Sequence, residues 1–167
     1  MAKKSKRHFI KEKEAKALLQ EASGRLKKDL ETVFGPKVNM ELIETNFCEI
    51  FLINGKPSLY KVGQNIYPTL VFEEALASMP KIVVDMGAVR HICNGANVMA
   101  PGIVRFEGKF RKSDLVVVVD EKHGKPIAVG EVLYDDTTVS EIRQGVIVKN
   151  LHFVGDKLWK AIKEMGF

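Results

Sequence analysis

The sequence predicts an α+β protein of two units: a mixed α/β N-terminal domain over residues 1–80, then a small β barrel or sandwich over residues 81–167 closed by a C-terminal helix. Three observations predict it. Apolar residues from Phe9 to Phe34 recur at helical spacing, strands become short and regularly punctuated beyond Pro80, and the last segment returns to helical spacing. A chain of 167 residues, 46% of them hydrophobic, buries enough apolar surface to fold without staples.

In the first segment Ala15, Leu18, Leu19, Ala22, Leu26, Leu30, Val33 and Phe34 form one stripe, with lysines and glutamates opposite and a possible break at Ser23-Gly24. Gly35-Pro36 ends it, because glycine takes a left-handed cap and proline lacks the amide proton. Alternation in VNMELIET and FCEIFLIN reads as two strands. Asn54-Gly55 then reads as a tight hairpin turn into a third strand reaching about Val62. Tyr67-Pro68-Thr69 is expected to open a helix capped by Thr69 and closed by Met79-Pro80, with Pro80 as the domain boundary.

Beyond it, strands are expected at Ile82–Val84, Gly102–Phe106, Leu115–Asp120, Ile127–Leu133, Val146–Val148 and Leu151–Val154, separated by turns such as EKHGKP and YDDTT. Between the first two, Asp85 is placed to cap a helix of about two turns that Asn94-Gly95 ends. Met86, Val89, Ile92 and Cys93 should cover its buried side, leaving Arg90, His91 and Asn94 outward. In GDKLWKAIKEMGF the stripe Leu158, Ile162 and Met165, with Trp159 beside it, predicts the closing helix, its lysines turned away.

The net charge of +5 and a sequence pI of about 9.1 lean toward an anionic partner. Lys3, Lys4, Lys6, Arg7, Lys11, Lys13 and Lys16 supply much of the excess and read first as a solvated tail. That N-terminus has no apolar core of a signal peptide, and no apolar run approaches the roughly 20 residues of a membrane-spanning helix, so a cytoplasmic, membrane-free protein is expected. Cys48 and Cys93 form neither a disulfide framework nor a metal spacing and read as buried apolar side chains.

No phosphate loop, dinucleotide fingerprint, zinc-protease helix or nucleophile elbow is present. The four histidines have no zinc-like spacing, and His91 and Cys93 point about 200° apart around a helix. The expectation is therefore a non-enzyme without cofactor or metal. What invites a function is the loop NGANVMAPG. Gly95, Ala96, Ala100 and Gly102 leave backbone groups open to close approach, Asn97 offers a donor and an acceptor, and Arg90, Arg105, Lys109, Arg111 and Lys112 could neutralise phosphates. Such a surface suits single-stranded RNA. Taken alone, Arg90 and His91 are equally explained as complements to the negative end of the helix dipole.

The segments VVDMGAVRHICNGANVMAPGIVRF, AVGEVLYD and GVIVKNLHFVGDKLW, in this order, closely resemble a PUA domain, an RNA-binding pseudo-barrel, from Lys81 to about Trp159. Two positions depart from the common pattern: Ser113, where glycine is usual and a small backbone adjustment is expected, and Asn97, where many members have aspartate. Asparagine at the latter position is also found in the branch of the malignant T-cell-amplified protein. NGKPSLYKV and YPTL, with the helix up to Pro80, resemble the pre-PUA domain of that branch and of ligatin-type initiation factors, so the whole resembles an archaeal stand-alone member.

The resemblance implies an RNA groove formed by Arg90, Asn94, Gly95, Ala96, Asn97, Val98, Met99, Pro101 and Gly102, with Val148, Lys149 and Asn150 on the opposite wall. His152 alternates with Leu151 and Phe153 and reads at least as well as a structural hydrogen-bonding residue. The expected function is RNA binding in translation, with tRNA or ribosomal RNA in the groove and the small ribosomal subunit or a translation factor as a further partner. The alternative is an accessory subunit delivering RNA to a separate modifying enzyme. A third reading is a protein-interaction module that no longer touches RNA.

Overall fold

The computed structural model describes residues 6–167; Lys3 and Lys4 of the basic arm lie outside them. The chain divides into two compact units between Ala75 and Leu76, and each is taken by itself.

The first unit is an antiparallel sheet in the order β1-β2-β3-β4-β5, formed by Lys6–Phe9, Met40–Glu44, Glu49–Ile53, Lys56–Val62 and Asn65–Pro68. It is accompanied by α1 (Glu12–Leu26) and α2 (Leu30–Phe34). Helix α1 buries Ala15, Leu19, Ala22 and Leu26, the stripe that the spacing predicts. The break comes at Lys27, which is left-handed at φ 54°, and not at Ser23-Gly24. Ser23 instead donates its hydroxyl to the Leu19 carbonyl and accepts from the Leu30 amide at 3.0 Å, tying the two helices together. Asn54 and Gly55, at φ 52° and 84°, make the expected hairpin turn.

Two further expectations fail in this unit. Lys6–Phe9 is not a tail but an edge strand paired antiparallel with β2, where Arg7 forms an ion pair with Glu41. All four of its side chains are exposed, so it offers no apolar alternation to read. Thr69 does not cap a helix. It is fully buried, donates its hydroxyl to the Pro57 carbonyl at 2.7 Å and so fastens the end of β5 to β4, while α3 begins only at Glu73 and runs to Ser78.

The second unit is a curled mixed sheet in the order β7-β11-β10-β9-β6-β8. Its strands are β6 (Lys81–Val84), β7 (Val98–Met99), β8 (Ile103–Glu107), β9 (Leu115–Asp120), β10 (Pro126–Val132) and β11 (Val146–Phe153). Strand β9, between β6 and β10, is buried along its whole length, as the unbroken LVVVV run requires. Ile82, Val84, Val116, Val118, Ile147 and Val148 form the centre of the core.

Strand β11 is one element, whereas the sequence suggests two strands; Lys149 and Asn150 stay paired with Glu131 and Gly130 of β10, and the register shifts only beyond them, at Leu151. At that point Gly130 of β10 is indispensable. A Cβ there would lie 2.3 Å from a Val148 methyl and 2.7 Å from the Lys149 carbonyl oxygen. Asp135-Asp136, expected as a turn, starts the short helix α5 (Asp136–Val139). The closing helix α6 (Lys157–Glu164) buries Leu158 and Ile162 and packs against β11.

Candidate nucleic-acid interface

Helix α4 (Met86–Ile92) leaves β6 with Asp85 accepting from the Ala88 amide at 2.8 Å, which satisfies one of the amides that a helix start leaves open. It ends where the amides of Asn94 and Ala96 both bond the His91 carbonyl and Gly95 turns at φ 98°. A 3-10 turn, Ala100–Gly102, then returns the chain to α4. The Asp85 amide donates to the Gly102 carbonyl at 2.9 Å, and a Cβ on Gly102 would stand 2.9 Å from that of Ala88. Gly102 is thus half-buried and packs closely against α4 in the groove's frame.

The far wall is β11, and Asn150 joins it to the near one. Its side-chain amide donates to the Ile92 carbonyl at 3.0 Å and to the Ala96 carbonyl at 2.9 Å, while its backbone amide donates to Asn97 Oδ1 at 2.9 Å. Two carbonyls facing one NH2 group set the orientation of the amide. Its Oδ1 is buried without a hydrogen-bond partner. An aspartate at position 97 could accept the same bond, so the asparagine there keeps the acceptor and removes a charge from the groove.

The expected residues separate into three sets. Arg90, Asn94, Gly95, Ala96, Asn97, Met99, Pro101 and Lys149 are exposed on the groove or its rim, with Asn150 half-buried behind. Val98 and Val148 do not face the groove: they are 1% and 0% exposed and belong to the core, because the β7–β11 pairing turns both inward. Lys109, Arg111 and Lys112 are not brought to the groove either. They stand on the loop after β8, which is anchored elsewhere: Gly108 lies against Pro80, the Lys112 amide bonds Asp135, and the Ser113 amide bonds the Val132 carbonyl. Arg105 lies on β8, with its Nε on Glu107 at 3.0 Å.

The two wall segments carry cations and no carboxylate of their own, and Glu131 of β10 stands opposite Lys149 in the ladder. No acidic residue occurs between Asp85 and Glu107 or between Glu141 and Asp156, the segments forming both walls. Arg90 and Lys149 form no ion pair among the described residues, so both charges are open to a ligand. Met86, expected on the buried side, is 44% exposed, and Met99 is 46% exposed, which leaves apolar surface beside these charges. Burial pushes the Cys93 thiol up, so it stays protonated, and Cys48 is buried; neither forms a disulfide.

His152 has the structural role. It is wholly buried, with Nδ1 2.8 Å from Asp156 Oδ2, while Asp156 Oδ1 accepts from the Trp159 amide and caps α6. Burial pushes the Asp156 carboxyl up, but the His152 ring and the Trp159 and Phe153 amides outweigh it and hold the carboxyl below its usual range. Ser113 does not adjust its backbone; it keeps the glycine-like conformation at φ 77°. Among the described residues no cluster of His, Cys, Asp or Glu could hold a metal ion, and no helix is long and apolar enough to cross a membrane.

Two family models match, the PUA domain over residues 80–154 and the domain of unknown function DUF1947 over residues 6–72. An uncharacterized protein of Methanocaldococcus jannaschii is 38% identical over 92% of this chain and 95% of its own length. The chain belongs to the DUF1947–PUA family. Two eukaryotic relatives of this DUF1947–PUA protein are Translation machinery-associated protein 20 of Schizosaccharomyces pombe, 29% identical over 89% of this chain and 86% of the relative, and Malignant T-cell-amplified sequence 1 of Danio rerio, 29% identical over 66% and 64%. A crystal structure of a PUA domain protein from Aeropyrum pernix, a tartrate complex, superposes with a TM-score of 0.86 at 27% identity, covering 98% of this chain and 94% of that one.

Proposed function

We propose that this DUF1947–PUA protein is a non-catalytic RNA-binding component of the translation machinery, holding a segment of tRNA or ribosomal RNA across α4, the 94–97 loop and β11. The observation that carries the reading is a groove whose wall segments hold no carboxylate of their own, with Arg90 and Lys149 on the two walls, Glu131 of β10 opposite Lys149 in the ladder, and backbone groups between the walls held in place by Asn150. Phosphates would sit on the cations, and unpaired bases on the exposed backbone of Gly95 and Ala96 and on Asn97. The names of the fungal relatives tie those proteins to translation, and the same setting is inferred for this chain. The reading takes Pro80 as the functional boundary, supported by the start of the PUA match, and leaves the N-terminal domain for a ribosomal or protein partner.

The test is binding of labelled tRNA and of purified ribosomal subunits across a salt series. Affinity should fall as salt rises, because each phosphate contact releases condensed counterions. Alanine at both Arg90 and Lys149 should weaken binding and lower the salt slope by about 0.7 per removed contact to a single strand, with the fold intact since both side chains are exposed. No binding to any of these RNAs at low salt would overturn the reading.

A further inference from the structure

Beyond the groove, the chain continues from Met99 into a second concavity that sequence reasoning does not reveal. One wall is the 3-10 turn with β8, contributing Ala100, Pro101, Ile103, Val104, Arg105 and Phe106. The other is the segment after α5, contributing Val139, Ser140, Ile142 and Arg143, with Ile147 at the base. The Ala100 amide donates to the Gly145 carbonyl at 2.9 Å and ties the two walls together. The open volume is about 410 Å³, within the range of small-molecule sites.

Its chemistry is that of a nucleotide site. No acidic residue lines it, its floor is apolar, and two arginines stand at its edge. Arg105 spends its Nε on Glu107 and keeps the other N–H donors of its guanidinium, whereas Arg143 forms no ion pair among the described residues. Val104, 47% exposed, lines the cleft, and Met99, 46% exposed, immediately precedes the 3-10 turn that forms its wall. Cations that track a backbone beside apolar surfaces on which bases rest are the recurring arrangement of single-strand binding.

We propose that this cleft is a second nucleotide subsite, which takes a nucleotide adjoining the segment held at α4, its base against the apolar floor and its phosphate on Arg143 and Arg105. The proposal rests on the RNA-binding reading of the α4 groove and deepens it by giving the RNA a direction of travel, across Met99 and Pro101. An acidic peptide would meet the same arginines; continuity with the groove and the apolar floor favour RNA.

The experiment measures binding of labelled single-stranded oligoribonucleotides of graded length to the full chain and to its Arg143→Ala, Arg143→Lys and Arg90→Ala variants, across salt, with the fluorescence of Trp159 confirming folding. Arg143→Ala should weaken longer RNAs about tenfold, the worth of one charge-assisted hydrogen bond, and lower the salt slope by about 0.7. The loss should vanish for RNAs that fill the α4 groove alone, and Arg143→Lys should retain most of the affinity. Arg90→Ala should weaken all lengths. If Arg143→Ala binds every length as the wild type does while Arg90→Ala is impaired, the subsite is refuted and the groove stands. A loss from Arg143→Ala that is the same at every length also refutes it, since the arginine then acts only through the general field. If Arg90→Ala is without effect, or the wild type binds no RNA, the groove reading itself fails and the subsite with it.

Discussion

Asn150→Asp isolates the tie that holds the groove's two walls. The replacement is nearly isosteric, so packing is unchanged, but the NH2 group facing the Ile92 and Ala96 carbonyls at 3.0 and 2.9 Å becomes a carboxylate oxygen. Two hydrogen bonds worth about 1 kcal/mol each are lost, and the carbonyls now face a partly buried negative oxygen, bringing the expected cost to about 2–4 kcal/mol. Facing two carbonyls, the new carboxyl has its folded-state pKa raised. A raised value means that the charge part of the penalty is absent below the unfolded-state pKa, about 3.9 for aspartate, and sets in as pH rises from there through the folded value, while the loss of one hydrogen bond remains at every pH because the protonated acid can donate to only one carbonyl. The assay is urea unfolding followed by Trp159, the single tryptophan, which sits on α6 against β11 and reports on the PUA unit. The variant should unfold earlier at pH 7 and approach the wild type on acidification, and its RNA affinity should drop because the 94–97 loop loosens. A midpoint at pH 7 equivalent to less than about 0.5 kcal/mol of destabilisation, the scale of an ordinary surface substitution, would refute the argument.

Three further outcomes follow from the structure. Ser113→Gly should raise the thermal midpoint by the equivalent of about 0.5–1 kcal/mol, since a left-handed φ of 77° costs an L-residue more than it costs glycine, and an unchanged or lower midpoint would count against strain at that turn. Gly130→Ala should destabilise by about 1–3 kcal/mol or more, because its Cβ meets the Lys149 carbonyl, which can move only with the strand; RNA titration should show a parallel loss as Lys149 and Asn150 shift. Asp156→Asn should remove part of the acid sensitivity of the PUA unit. The depressed Asp156 pKa gives stability that is present above the unfolded carboxylate value and lost as pH falls through the folded one, so wild-type and variant urea midpoints should differ most near neutrality and converge below about pH 4. A constant difference across that range would show that the carboxyl does not titrate against His152.

Features that depend on residues close together in the chain are legible without coordinates. The Asp85 cap and Gly95 stop of α4 were legible because the amides and carbonyls they satisfy lie within one helical turn. The Asn54-Gly55 hairpin and the wholly buried LVVVV strand were legible for the same reason: turn preference and apolar continuity are local properties. The succession of PUA segments carried the family, but not which way Val98 and Val148 face. Only the register of β7 on β11 turns them into the core.

The tertiary structure decided everything that needs a partner far away in the chain. Edge strand β1 exists because β2 offers it a ladder, and Thr69 has its role because Pro57 lies beside it. Asn150 could be named as a groove residue, yet its function as the tie to Ile92 and Ala96 spans more than fifty residues of sequence and leaves no pattern in either segment. No pattern in the sequence singles out Arg143. It lines a cleft with Arg105 only because Ala100 bonds Gly145 and brings two distant segments together, and periodicity cannot register such a juxtaposition, since it records only which residues share a face of one element.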